Sequence, residues 1–331
     1  MNKAIYIINK NDPQDFCVAM AFGSKYVEMN IDNVGPIGLS KNVLKFKTNL
    51  CQKKEGVQFR DTYFPSAANP LHRDYPDAYC IKMSNENIGE YFPRIYRPQI
   101  ESGHSINSLR FRDKIKYISS LVNTANDLPR KINEVISAVQ QLETLVNRLK
   151  SILLNIYPTE KNLDAFGHEV RNLLILAATE VEAQLKGVMI ANSVKASKSF
   201  YSTEDYCKLN KVLKLSRYKI RLMQYPELGD IIPFENWDCN AASKSLFWYN
   251  NYNAVKHDRE ASFDKATLKS AIHAVTAVCV ALVAQYGNDI PTWRESIGSY
   301  FLLMDSPSWQ IEECYVPPLS EDGWVAINHK I

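Results

Sequence analysis

The sequence predicts a mostly α protein, an antiparallel helical bundle preceded by a smaller β-containing (α+β) domain. Three observations carry this. Apolar residues from Ile132 to Ile156 recur in alternating steps of three and four, an unbroken heptad seam. The stretch from Ala266 to Tyr286 is apolar on nearly every side, the mark of a helix enclosed by neighbours. The first hundred residues show neither pattern, only short apolar runs separated by turn signals.

In that first part, AIYII, FCVAMAF, YVEMNI and VLKF are divided by NKNDP, GSK and DNVGP. Val43, Lys45 and Lys47 alternate with Leu44 and Phe46, the period of a strand. Pro65, Pro70, Pro76, Pro93 and Pro98 then punctuate an aromatic loop region containing Tyr63, Phe64, Tyr91, Phe92 and Tyr96. The expected divisions are a β-rich domain over 1–105, a helical bundle over 106–290 and an acidic tail of short elements over 291–331. No internal repeat is visible.

The seam residues Ile132, Val135, Val139, Leu142, Val146, Leu149, Leu153 and Ile156 predict a helix on the order of 40 Å long, with Pro129 ahead of it and Pro158 stopping it. Such a stripe suits either the interior of a bundle or a two-chain coiled coil. A second helix carries Phe166, Val170, Leu173, Leu174, Ala177, Val181, Leu185 and Val188, with Asn192 near its end. A third starts near Ser243 and carries Trp248, Tyr252 and Val255; the apolar stretch is the fourth. Four helices with modest links make a bundle. Between the second and third lies an insertion at about 200–240, with the short helix TEDYCKLNKVL opened by a Ser202/Thr203 cap and SRYKIRLMQ alternating like a strand.

The net charge of +3 is too small for bulk nucleic-acid binding. Counting Lys and Arg against Asp and Glu gives +4 over 106–156 and −5 over 288–331, so positive charge sits mid-chain and the tail is acidic. Seven scattered cysteines without a C-x-x-C fit neither a disulfide framework nor a zinc ribbon; reduced thiols and a cytoplasmic setting are the economical expectation. No signal-peptide core is legible, and the apolar stretch contains His273 and Thr276 and falls short of a span, so no membrane association is expected.

The segment WYNNYNAVKHDRE at 248–260 carries the candidate chemistry. On a helix Asn253 and His257 share a face, while Lys256 and Arg259 lie on a neighbouring one. Neighbouring cations disfavour a charged imidazole, which keeps it available as a neutral base. That suits attack of a ribose 2′-hydroxyl on the adjacent phosphate, with a cation stabilising the developing charge. The structural alternative is a helix-end histidine bonded to a carbonyl or to a carboxylate such as Glu182.

HEVRNLLILAATEVEAQLK at 168–186, together with 248–275, resembles the HEPN superfamily, the all-helical bundles of bacterial defence and toxin-antitoxin systems. It is similar to members in which a tryptophan is followed by Y-N-x-V-K-H-x-R, and the resemblance covers about 110–290. It implies an antiparallel bundle that dimerises across the motif-bearing helices and, in active relatives, a metal-independent ribonuclease with no cofactor. His257 matches the family histidine and Asn253 the polar residue near it. Active members also carry an arginine followed by four to six residues and then the histidine. Here those positions hold Tyr252, Asn251 and Asn250, and the closest preceding arginine is Arg221. Cleavage with Lys256 or Arg259 as the cation, and binding without cleavage, are both open. The partners implied are RNA and a second copy of the chain; the competing class is a non-catalytic module that docks a protein partner.

A second feature is the basic ladder Lys208, Lys211, Lys214, Arg217, Lys219 and Arg221, in which Tyr218 offers a ring for base stacking. Its bland counterpart is a solvated face offset by Glu204 and Asp205. YPDAYCIKM at 75–83 lacks a nuclease metal ligand at Cys80, and GHS at 103–105 lacks the second glycine of a nucleophile elbow. G-x-G-x-x-G, P-loop and H-E-x-x-H motifs are absent. His168, Glu169 and Arg171 either come close to the motif in the bundle or form a surface ion-pair cluster; His273 is expected in the core, and Trp237 and Trp248 as packing anchors.

Overall fold

The computed structural model describes residues 2–9, 16–22, 25–28, 51–52, 79–99, 128–129, 131–287, 297–316, 318 and 323–331. The described residues form two compact units: Met1–Tyr91 with Arg97–Pro129 and Trp309–Ala326, and Phe92–Tyr96 with Arg130–Ser308 and Ile327–Ile331. The chain is mostly α, with six α-helices among the described residues, all in the second unit.

The first unit holds a five-stranded antiparallel sheet in the order β4-β3-β2-β1-β5, with β1 Asn2–Asn9, β2 Phe16–Phe22, β3 Lys25–Glu28, β4 Cys51–Gln52 and β5 Tyr79–Met83. Strand β1 is central to the register, with Ile5 opposite both Ala19 and Met83. The predicted runs AIYII and FCVAMAF fall on strands, and YVEMNI starts on one, with its residues 29–31 outside the described residues. The run VLKF, most of the proline loop with Tyr63 and Phe64, and the boundary at 105 lie outside the described residues. Two short strands, β6 Glu90–Tyr91 and β9 Val325–Ala326, pair in parallel, so part of the acidic tail belongs to this unit. Beside them the nearly buried Arg97 pairs with Glu86 at 3.0 Å.

In the second unit, α1 (Ile132–Asn155), α2 (His168–Ala191) and α4 (Phe247–His257) all pack against α6 (Leu268–Tyr286). Between α2 and α4 come α3 (Thr203–Leu213) and β7 (Lys219–Leu222); α5 (Arg259–Ser262) is a single turn, and β7 pairs antiparallel with β8 (Phe301–Asp305). The heptad seam of α1 buries Val135, Val139, Leu142, Val146, Leu149 and Leu153 within its own chain, adding Ala138, Leu145 and Ile152. A broader stripe than two positions per heptad is what an interior bundle helix needs. Ile132 remains 47% exposed, because the first turn overhangs its neighbours. On α2 the predicted stripe is buried from Val170 to Val188, but Phe166 lies ahead of the helix and is 51% exposed.

Helix α6 is 19 residues long, apolar enough by length and composition to cross a membrane, and almost wholly buried among its neighbours. The backbone donors of its first turn are engaged: Leu268 N donates to Ala165 O at 2.8 Å and Lys269 N to Leu163 O at 2.9 Å. Helix α3 starts where the cap was predicted, with Ser202 and Asp205 forming a capping box. Helix α4 begins at Phe247 rather than near Ser243, since Asp238 and Ser245 hold the preceding residues in a tight turn.

A strap, Phe92–Tyr96, crosses the last turns of α2 and α6. Asn192 Nδ2 donates to Pro93 O at 2.9 Å and Tyr96 N to Ala284 O at 3.0 Å. Arg94, held at a φ of 59°, sends its guanidinium over Gly187 to Gln184 and Gln285 at 2.9 and 2.8 Å. Gln184 in turn donates to Glu180 at 2.6 Å; burial raises the Glu180 pKa, against the pull of Gln184 and Arg94.

Candidate functional site

The motif segment forms α4 and the turn after it. Trp248, Tyr249, Tyr252 and Val255 face inward, which leaves Asn250 and His257 on the open side and Asn251, Asn253 and Ala254 half-buried. His257 is the last residue of the helix; its imidazole is exposed and has no hydrogen-bond partner among the described residues. Glu182, the carboxylate that a structural reading would pair with it, is engaged elsewhere: Tyr249 Oη donates to Glu182 Oε1 at 2.6 Å. Thr203, the first residue of α3, donates to the same Tyr249 hydroxyl at 3.0 Å. Burial, then the bond to Glu182, push the Tyr249 phenol well above its usual range, so it stays a neutral donor.

Lys256 is exposed along its length, but its Nζ donates to Tyr252 Oη at 2.8 Å and lies 4.9 Å from the centre of that ring. That hydrogen bond raises the ammonium pKa, with Glu182 adding to it, so the charge is secure. Arg259 is exposed on α5 without an ion pair among the described residues. Asp258 between them caps α5, accepting from Ala261 N at 3.0 Å. Asn253 is half-buried, four residues before His257 on the same helix.

The start of α2 comes to the end of α4. Arg171 Nη2 donates to Val255 O at 3.3 Å, supplying one of the donors that a helix C-terminus lacks, and its Nε is buried without a partner. The His168 ring lies 4.9 Å from that of Phe263, which also meets Phe166 edge-on at 5.7 Å. Arg171 thus lies against the motif helix, half-buried and bonded to a backbone carbonyl, and His168, Glu169 and Arg171 form no ion-pair cluster among the described residues. The sequence names Arg171 near the motif but not its partner there, because the contact joins residues 84 apart.

The basic ladder is largely spent on its own fold. Lys208 pairs with the buried Asp205 at 3.3 Å, Lys219 with Asp305 at 3.6 Å and Arg221 with Asp230 at 2.6 Å, while Lys214 donates to Ser308 O at 3.0 Å. Burial opposes the charge on Asp205, but bonds from Ser197, Ser202 and Lys208 hold its carboxyl at about 2. Lys211 and Arg217 remain exposed without a partner among the described residues. The expectation that Tyr218 stacks on a base is corrected: it is 2% exposed, because the ring packs inward where α3 turns into β7, and burial drives its phenol pKa far up.

Two further expectations resolve here. His273 does sit against the core, edge-on to Phe247 at 4.7 Å, with Nδ1 sealed from solvent and no partner; burial, then Lys269, lower its pKa to about 4. The expectation of reduced thiols is corrected at one pair, since Cys207 on α3 is disulfide-bonded to Cys239. Cys279 is a free, buried thiol, and the buried Cys314 thiol donates to Gln310 O at 3.5 Å. A separation of 32 residues between scattered cysteines carries no signal in the sequence; only the return of the chain past α3 brings these two together. Among the described residues no three His, Cys, Asp or Glu side chains gather as metal ligands.

No family model, curated protein or solved structure matches this chain.

Proposed function

We propose that this is an RNA-binding, HEPN-like bundle protein acting in bacterial defence or a toxin-antitoxin pair, and that the end of α4 faces the phosphodiester. The observation that carries the reading is the His257 imidazole, solvent-facing and unpartnered among the described residues, with exposed cations at Lys256 and Arg259 on either side. In this reading His257 moves the proton of a ribose 2′-hydroxyl, Lys256 and Arg259 attract the phosphate, and Asn253 orients the ring or the sugar. Cleavage then needs no metal, and a second copy of the chain completes the site. The test is cleavage of a mixed RNA pool in EDTA. The native chain cuts and His257→Ala lowers the rate at least 100-fold; equal rates, or no cutting by the native chain, remove the nuclease reading.

One observation favours a second reading, a non-catalytic module that dimerises or docks a protein partner. Three of the six ladder cations pair with carboxylates and a fourth bonds a carbonyl, which offsets part of the positive charge that the sequence offers to phosphate. Absence of RNA binding at low salt, together with a concentration-dependent dimer, selects it.

A further inference from the structure

The Cys207–Cys239 bond joins two sulfurs in opposite surroundings. Cys207 is 1% exposed on the inner face of α3, whereas Cys239 lies exposed in the short turn Cys239–Ala241. We propose that this bond is a thiol–disulfide exchange site, opened in the folded protein by a dithiol reductant that attacks the Cys239 sulfur.

Access sets the direction of attack, because exchange requires the incoming thiolate to approach along the S–S axis from outside. The reductant's first thiolate bonds to Cys239 Sγ as the S–S bond breaks, and Cys207 Sγ leaves with the electron pair and takes up a proton. The second thiolate then attacks the reductant's own sulfur in the mixed disulfide, releasing Cys239 Sγ to be protonated. The protein gains two electrons and two protons, and the dithiol ends as its cyclic disulfide.

Both sides of the bond are anchored without it, so opening is local. Upstream of the turn, Phe234 is fully buried, Ile231 and Ile220 exchange backbone hydrogen bonds of 2.7 and 3.0 Å, and Trp248 Nε1 donates to Pro233 O at 2.7 Å. Downstream, Ala242 O accepts from Trp237 Nε1 at 2.9 Å. Helix α3 keeps Leu209 and Leu213 in the core and its capping box at Asp205. The turn itself has only local hydrogen bonds among the described residues, to Asp238, Lys244 and Ser245. What the bond adds is a tie between that turn and α3. Helix α3 is also the element whose Thr203 hydroxyl supports Tyr249 on α4, so its freedom reaches the helix that ends in His257.

The experiment treats the native full-length chain with millimolar dithiol without denaturant, alkylates the freed thiols, and follows backbone hydrogen exchange on the same sample. Cys207 and Cys239 become labelled while Cys279 and Cys314 do not, and exchange rises at least tenfold in 203–213 and 238–245 with α6 unchanged. Oxidised dithiol restores the starting pattern, glutathione is trapped on Cys239 rather than Cys207, and Cys239→Ser reproduces the reduced pattern without reductant. The proposal is overturned if the bond opens only when α6 also exchanges, if glutathione is trapped on Cys207, or if reduction leaves the exchange of α3 and the turn unchanged.

Discussion

Replacing Gly187 by alanine ought to stabilise α2, since a helix interior prefers alanine to glycine by about 1 kcal/mol. Here the sign reverses. An alanine Cβ at 187 would lie 1.9 Å from Arg94 Nη1 and 2.4 Å from Cζ, so the guanidinium has to leave. Leaving forfeits the bonds to Gln184 and Gln285, at 2.9 and 2.8 Å. A hydrogen bond to a charged group contributes about 1.5–3 kcal/mol, and for this partly buried pair the low end is apt, about 3 kcal/mol for the two. Set against the helical gain, Gly187→Ala costs about 2 kcal/mol. With Arg94→Ala already present the space is vacant, and the left-handed backbone at 94 is no worse for alanine than for arginine. In that background Gly187→Ala becomes neutral or stabilises by up to about 1 kcal/mol. The assay is a double-mutant cycle by urea unfolding, and the expected coupling is about 3 kcal/mol. Equal costs in both backgrounds would refute the claim that the strap is locked through Arg94.

Two further outcomes follow from the same geometry. His273 has a folded pKa near 4 against an ordinary value of 6.5, so the native state resists its protonation. The stability this confers is complete above about pH 6.5 and is lost as pH falls towards 4, by at most about 3 kcal/mol. Urea midpoints of the native chain should therefore fall more steeply than those of His273→Phe between pH 7 and 4.5, and parallel curves would contradict this. Tyr249→Phe deletes a donor to Glu182 and an acceptor for Thr203, so it should lower stability by about 1–2 kcal/mol and raise hydrogen exchange in the first turn of α3. An unchanged midpoint would mean water replaces the hydroxyl at no cost.

The sequence by itself determined the helices, because burial writes its period directly into the chain. Val135 to Leu153, Val170 to Val188 and the all-round apolar run in α6 each fix a helix and its inward side, and Ser202 fixes where α3 begins. The inward side of Trp248, Tyr252 and Val255 on α4 was legible as well, whereas the open side that holds His257 and Asn250 is a finding of the structure. What only the tertiary structure decided are contacts between residues far apart in the chain, since neither a hydrogen bond nor a disulfide imposes a local period. Arg171 reaching Val255 O, Arg94 lying over Gly187, Cys207 meeting Cys239 and the acids that neutralise Lys219 and Arg221 all belong to this class. Tyr218 shows the difference: alternation along a strand assigns it a side, but only the packing around β7 makes that side the interior.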